Sequence, residues 1–209
     1  MATKERRQAK WGDASLDIKE VHERKKRSLV ASAGRVFREK GYQDASMDDI
    51  ANDLNVSKTA IYYYVRNKSE LLYLCHSLAF DLGDEAMNTA KAEGKTGADK
   101  IRILIKTYVT SLTSELGGGA LMTSDSALEP HYLEEVRKRR RAWDKGFRAI
   151  MDEGIKDGSI GPCDTRLIEF FIMGAIRGLH RWFSPDGEKT GEEIADQLLA
   201  MVFDGIGGK

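Results

Sequence analysis

Cysteine is almost missing from this chain. Cys75 and Cys163 are the only two in 209 residues, they lie far apart, and neither belongs to a CxxC or other metal-ligand spacing. Free thiols are the expected state. Long apolar runs are missing as well: no window supplies the roughly 18 apolar residues that a membrane span needs. The charged N-terminus lacks the apolar segment of a secretion signal, so the expected location is the cytoplasm. There is no alternating strand pattern, no internal repeat, and no glycine-rich phosphate cradle, because Gly117–Gly119 is not followed by Lys-Ser/Thr. Catalytic groupings are equally scarce. Cys75 and His76 are adjacent and point to different faces of a helix, which removes a simple nucleophile–base pair. His76, His131 and His180, even with Asp125 or Glu129, are scattered rather than gathered in a ligand motif. Neither an enzyme, a metal site nor a cofactor is expected.

Net charge is also absent, with 33 Lys and Arg against 33 Asp and Glu. Its distribution is uneven. Residues 1–70 hold 15 basic and 11 acidic side chains, a balance of +4, which leaves 18 against 22, or −4, for the remainder. The cations concentrate at Arg24, Lys25, Lys26 and Arg27, and phosphate neutralisation depends on where cations sit rather than on their total. With 41% apolar and 32% charged residues the composition is ordinary for a folded chain, long enough for one large or two small domains.

Residues 46–68 carry the most specific signal. Ser46 followed by Asp49 reads as a capping box that starts a helix near Met47, with Asp48 adding charge at its positive end. Ile50, Ala51 and Leu54 form a narrow apolar face, and Asn55 stands where a left-handed residue would close the helix. Val56 is expected to pack the corner and Ser57 to cap a second helix, Lys58 to Tyr64. Ile61 and Val65 of that segment turn inward. This is a helix-turn-helix whose second helix suits the major groove. Lys58 could donate to guanine, Thr59 to a base or phosphate, and the Ala60 methyl could touch a thymine methyl. Tyr62 and Tyr63 carry hydroxyls suited to phosphate, and Lys68 in the first turn of the next helix reads as a phosphate clamp.

The order I-A-x-x-L-x-V-S-x-x-x-I-Y-Y-Y-V-x-N-K-x-E-L-L from Ile50 to Leu72, with Ala33, Phe37 and Gly41-Tyr42 upstream, resembles the DNA-binding domain of the TetR family of bacterial transcriptional regulators. Asn55 replaces the usual Gly, Val65 the commoner Phe, and Asp48 an often basic or hydroxyl residue. The resemblance implies an all-α fold: a basic arm over residues 1–19, a helix-turn-helix domain over 20–69, and a helical effector-binding and dimerisation domain over 70–209. It assigns DNA contacts to Ser46, Met47, Ser57, Lys58, Thr59, Ala60, Tyr62, Tyr63, Tyr64 and Lys68. It implies a homodimer on a palindromic double-stranded operator, released by a small molecule.

Helical spacing continues down the chain. Segments from Val21 to Lys40, Glu70 to Ala92, Ala98 to Leu116 and Pro130 to Lys156 are expected, with a short helix at Ala120–Leu128. The three prolines stand at borders: Pro130 at a first helical position, Pro162 and Pro185 in turns. A helix capped by Asp164 or Thr165 is apolar on more than one face, and a last one, capped by Thr190, carries Ile194, Leu198, Met201, Val202 and Ile206. Such a surplus asks for a second copy and a four-helix interface. Leu104, Tyr108, Leu112, Met122, Trp143, Phe147, Met151, Met173 and Arg177 could line an effector pocket, or serve simply as core. The run Arg137–Arg141 and the segment His180–Gly187 resemble, more weakly, an acyl-CoA-responsive subset of the family; an apolar metabolite is the other effector considered. An effector-independent or architectural DNA binder, or a helical enzyme or binding module that merely keeps the motif, are the alternatives.

Overall fold

Local capping chemistry starts the helices. Ser46, Thr96 and Thr190 each accept a bond from the backbone N–H three residues on, and the carboxylates of Asp49, Asp99 and Glu193 accept in turn from the cap's own N–H. Pro130 occupies the first turn of its helix, where a missing N–H costs nothing. The computed structural model describes residues 18–114, 117 and 125–205. Among them are eight helices and no strand: α1 Ile18–Lys40, α2 Met47–Asp53, α3 Lys58–Tyr62, α4 Lys68–Glu93, α5 Gly97–Thr113, α6 Pro130–Asp157, α7 Thr165–Trp182 and α8 Gly191–Phe203.

Two apolar clusters organise them. The first joins Leu29, Ala33 and Phe37 of α1 to Ile50 of α2, Ile61 and Val65 around α3, and Leu71, Leu72 and Cys75 of α4. Leu128, Tyr132 and Val136, from the start of α6 and the turn before it, belong to the same cluster. The second gathers Ala86 and Ala90 of α4, Ile101, Leu104 and Ile105 of α5, Phe147 and Ile150 of α6, Ile172 and Ile176 of α7, and Leu199 of α8. Leu78 of α4 packs against both. α4 therefore runs unbroken from one cluster into the other.

Close approach sets two of the glycines. A Cβ on Gly97 would lie 2.2 Å from Gly154 Cα, so the start of α5 meets the end of α6 backbone to backbone. Asp157 accepts the Gly97 N–H there at 2.8 Å. A Cβ on Gly83 would lie 2.6 Å from Trp143 Nε1, so α4 has no side chain where the indole lies against it.

Several expectations need correcting. Val56 does not pack the corner but is 44% exposed, because α3 leaves the turn at an angle that buries Ile61 instead. α3 ends at Tyr62, since the Tyr64 and Val65 N–H groups both bond the Ile61 carbonyl in a tightened final turn. Asp125–Leu128 form turns, not helix, while Ala120–Ser124 lie outside the described residues, as do residues 1–17 of the arm and Ile206. The doubly apolar reading of α7 matches its burial pattern: Ile172, Met173, Ile176 and Leu179 face the core, whereas Leu167, Phe170 and Phe171 are exposed.

Candidate nucleic-acid interface and effector cavity

The turn between α2 and α3 is built by two local devices. Leu54 closes α2, Asn55 takes φ +53°, and two residues on Ser57 accepts the Ala60 N–H at 3.2 Å to open α3. This leaves Ser57, Lys58, Thr59, Ala60, Tyr62 and Tyr63 exposed, with Tyr63 76% accessible. Tyr64 is half-buried, its ring 4.8 Å from that of His22 on α1 and 5.2 Å from Tyr63. The Lys58 ammonium bonds Asp48 Oδ2 at 2.8 Å, so an ion pair bridges the two helices of the motif.

Besides Ser57 and Lys58, three more of the expected DNA-contact residues are employed within the fold. Met47 is buried at 7% exposure among the N-terminal core residues and is removed from the contact set; as the first residue of α2 it turns inward while Asp48 turns out. Ser46 is half-buried and its hydroxyl donates to Asp49 Oδ2 at 2.7 Å, completing the cap. The Lys68 ammonium donates to the carbonyls of Ala45 at 2.5 Å and Gln43 at 3.1 Å and lies over the Tyr42 ring. Lys68 thus straps the α1–α2 connection to α4, with one N–H left for another acceptor. Nearby cations that motif reasoning passed over include Arg66, whose guanidinium meets Glu70 at 3.1 Å and the Tyr132 hydroxyl at 2.7 Å.

A cavity of about 270 Å³ lies between α4, α5, α6 and α7. Of the expected lining residues, Tyr108, Leu112, Trp143, Met173 and Arg177 do border it. Leu104, Phe147 and Met151 do not; they are buried in the core, and Met122 lies outside the described residues. A polar wall lines it too: Arg140 and His180 fall in the two segments tied to the acyl-CoA resemblance, whereas His76, Asp125 and Asp144 were not among the expected lining residues. His76 and Phe80 could have been found from their i, i+4 spacing on α4, four residues apart on one face.

Charges around this space are mostly neutralised in pairs. Arg140 meets Asp125 at 3.0 Å, and Arg139 meets Asp81 and Asp84 at 2.8 and 2.9 Å, so two members of the arginine run hold α6 to its neighbours. Glu169 of α7 is 1% exposed, with Arg148 at 3.7 Å and Asp144 beside it. Burial, reinforced by the Asp144 charge, pushes its carboxyl up to about 7. Burial likewise pushes the Cys75 thiol up to about 12, so it is inert core at neutral pH. Among the described residues, no three metal-ligating side chains converge.

A helix-turn-helix with an exposed second helix, carried on a long helix that continues into a cavity-bearing helical domain, defines a DNA-binding regulator. Comparison with known proteins gives the class a family. Residues 29–73 match the family described as bacterial regulatory proteins of the tetR family, and residues 94–206 match the tetracyclin repressor-like C-terminal domain. The chain belongs to the TetR family of DNA-binding transcriptional repressors. It is similar to the HTH-type transcriptional repressor KstR2 of Mycolicibacterium smegmatis, 23% identical over 184 residues, covering 85% of this chain and 88% of that one. It is also similar to the fatty acid metabolism regulator protein of Bacillus subtilis, 25% identical over 187 residues, covering 87% and 95%. Among solved structures, AibR in complex with isovaleryl coenzyme A and operator DNA superposes with a TM-score of 0.70 at 23% identity, over 85% of this chain and 97% of that one. No helix among the described residues is long and apolar enough to cross a membrane.

Proposed function

We propose that this protein is a homodimeric repressor that holds a palindromic operator in the cytoplasm and leaves it when a small molecule occupies the cavity beside α4. The observation that carries this reading is the continuity of α4, which has Leu71 and Leu72 in the helix-turn-helix cluster and Lys68 bonded to Ala45 at one end, and His76, Ala79 and Phe80 on the cavity wall further along. The DNA contacts are Ser57, Lys58, Thr59, Ala60, Tyr62 and Tyr63, with Tyr64, Ser46 and Lys68 supporting them. The dimer forms through α7 and α8, whose Leu167, Phe170, Phe171 and Met201 are each more than half exposed and suit a second copy of the same face. Two such subunits present their recognition helices about 34 Å apart.

The effector is an acyl-CoA or an apolar metabolite. The cavity's Tyr108, Leu112, Trp143 and Met173 suit an acyl group, and Arg177 at its edge suits a phosphate or carboxylate. The coenzyme A complex of AibR and the fatty acid regulator among the relatives support the same class. A mobility-shift titration on the DNA upstream of the protein's own gene tests the reading. At about 0.1 M salt the expected result is a complex with two subunits per duplex, dispersed by acyl-CoAs. No retarded complex at that salt would overturn it. An effector-independent binder differs in showing no thermal stabilisation by any ligand of the panel.

A further inference from the structure

Asp48 is out of place on a surface that must meet a polyanion. Its side chain is 62% exposed at the start of α2, it takes no part in the Ser46–Asp49 cap, and it bonds the Lys58 ammonium across the turn at 2.8 Å. A carboxylate there can gain nothing from phosphate. It neutralises the lysine at the head of α3, the residue best placed to seek phosphate indiscriminately.

We propose that Asp48 and Lys58 form one ion-paired reading head that selects a G·C base pair in each half-site, with Asp48 the residue that makes Lys58 sequence-selective. The inference rests on the DNA-binding reading above and adds a residue and a base to it.

Matching distances carry the argument. Across a G·C pair in the major groove, guanine O6 accepts and cytosine N4 donates, and these two atoms are hydrogen-bonded to each other at about 2.9 Å. The Lys58 Nζ and Asp48 Oδ2 present a donor and an acceptor at nearly the same separation. Lys58 gives one N–H to Asp48 and keeps two, enough for guanine O6 and N7. Asp48 Oδ2 has a second lone pair with which to accept from cytosine N4. At a T·A pair the same head would find thymine O4 and adenine N6, but the second lysine donor would face the thymine methyl instead of N7. An isolated lysine would have no reason to prefer base over phosphate. The paired one has already given up much of its net charge and gains most where both partners are satisfied.

The test selects binding sites from a randomised duplex pool with the wild-type chain, Asp48→Ala and Lys58→Ala, then measures affinity for selected and random DNA against salt. The wild type is expected to enrich G·C at one symmetric position per half-site. Both variants should lose that preference by roughly tenfold or more, the discrimination of one good base contact. Asp48→Ala alone should bind random DNA more tightly, its log–log salt slope steeper by about 0.9 per subunit as the freed lysine takes a phosphate. Equal melting temperatures for wild type and Asp48→Ala show that the fold is kept. If Asp48→Ala enriches the same sequences and binds random DNA with the same slope, the proposal falls while the operator reading stands. If the wild type enriches no sequence, both fall together.

Discussion

Replacing Lys68 by methionine separates two roles that sequence and structure give to the same ammonium. Motif reasoning makes it a phosphate clamp; the coordinates direct it to the Ala45 and Gln43 carbonyls and the Tyr42 ring. Methionine keeps the aliphatic stem, so the apolar contacts of a half-buried side chain largely persist. The loss is then two charge-assisted hydrogen bonds, one part-buried and one exposed. Taking the low end of roughly 1.5 kcal/mol for the first and less for the second gives a destabilisation of about 2 kcal/mol. For a chain of this size that lowers the melting temperature by roughly 4–8 °C. Calorimetry without DNA measures it directly. The third N–H remains free for phosphate, so the same variant should also weaken binding to every duplex and flatten the salt slope by about 0.9 per subunit. An unchanged melting temperature would refute the strap, and an unchanged slope the clamp; both unchanged would remove Lys68 from any role argued for it.

Gly83→Ala places a methyl 2.6 Å from the Trp143 indole nitrogen. Overpacking of about 1–3 kcal/mol should outweigh the roughly 1 kcal/mol gained in helix propensity, and indole fluorescence should shift as the ring is displaced beside the cavity. Phe171→Glu with Leu167→Glu, on positions 72% and 52% exposed, should give a stable monomer by sedimentation that no longer shifts operator DNA; a dimer that still binds would move the interface elsewhere. Glu169 titrates near 7 when folded against 4.5 when unfolded, so its favourable contribution is complete below about pH 4.5 and is lost as pH rises to about 7. Denaturant titrations should show wild type losing on the order of 2–3 kcal/mol relative to Glu169→Gln between pH 5 and 8; parallel pH profiles would contradict this.

What was legible in the sequence is chemistry confined to a few consecutive residues. Ser46 with Asp49, Asn55 at φ +53° and Pro130 in a first turn all concern a backbone satisfying its own end groups, and each does so as read. Burial by period also read well where one face is buried, as for Ile61 and Val65. Failures come where the partner is distant in sequence. The burial of Met47, the exposure of Val56 and the Lys68 strap depend on the angle at which helices cross. The pairing of Asp48 with Lys58 depends on the turn that brings them together. Tyr132 is buried at the start of α6 because Arg66 and Tyr73 of the N-terminal half supply a hydroxyl partner and a stacked ring at 4.5 Å.

That junction bears on how a cavity could influence DNA. The start of α6 is pinned to the start of α4 by Arg66 on the Tyr132 hydroxyl, by Asn67 on Glu129 at 3.2 Å and by the Glu129 N–H on Ser69 at 3.2 Å. α6 also carries Arg140, Trp143 and Asp144 to the cavity wall, opposite His76 and Phe80 of α4. In the proposed switch, a molecule filling the space presses on two helices already tied together at the ends nearer the helix-turn-helix, and it cannot part them there without breaking that junction. The less costly response is for the pair to tilt as a unit about the α4 end held by Ala86 and Ala90. A tilt of about 5° along a helix of 26 residues, roughly 39 Å long, displaces its far end by about 3 Å. In a two-fold dimer both ends move in opposite directions, so recognition helices matched to a spacing of about 34 Å change separation by roughly 6 Å and can no longer enter successive grooves together.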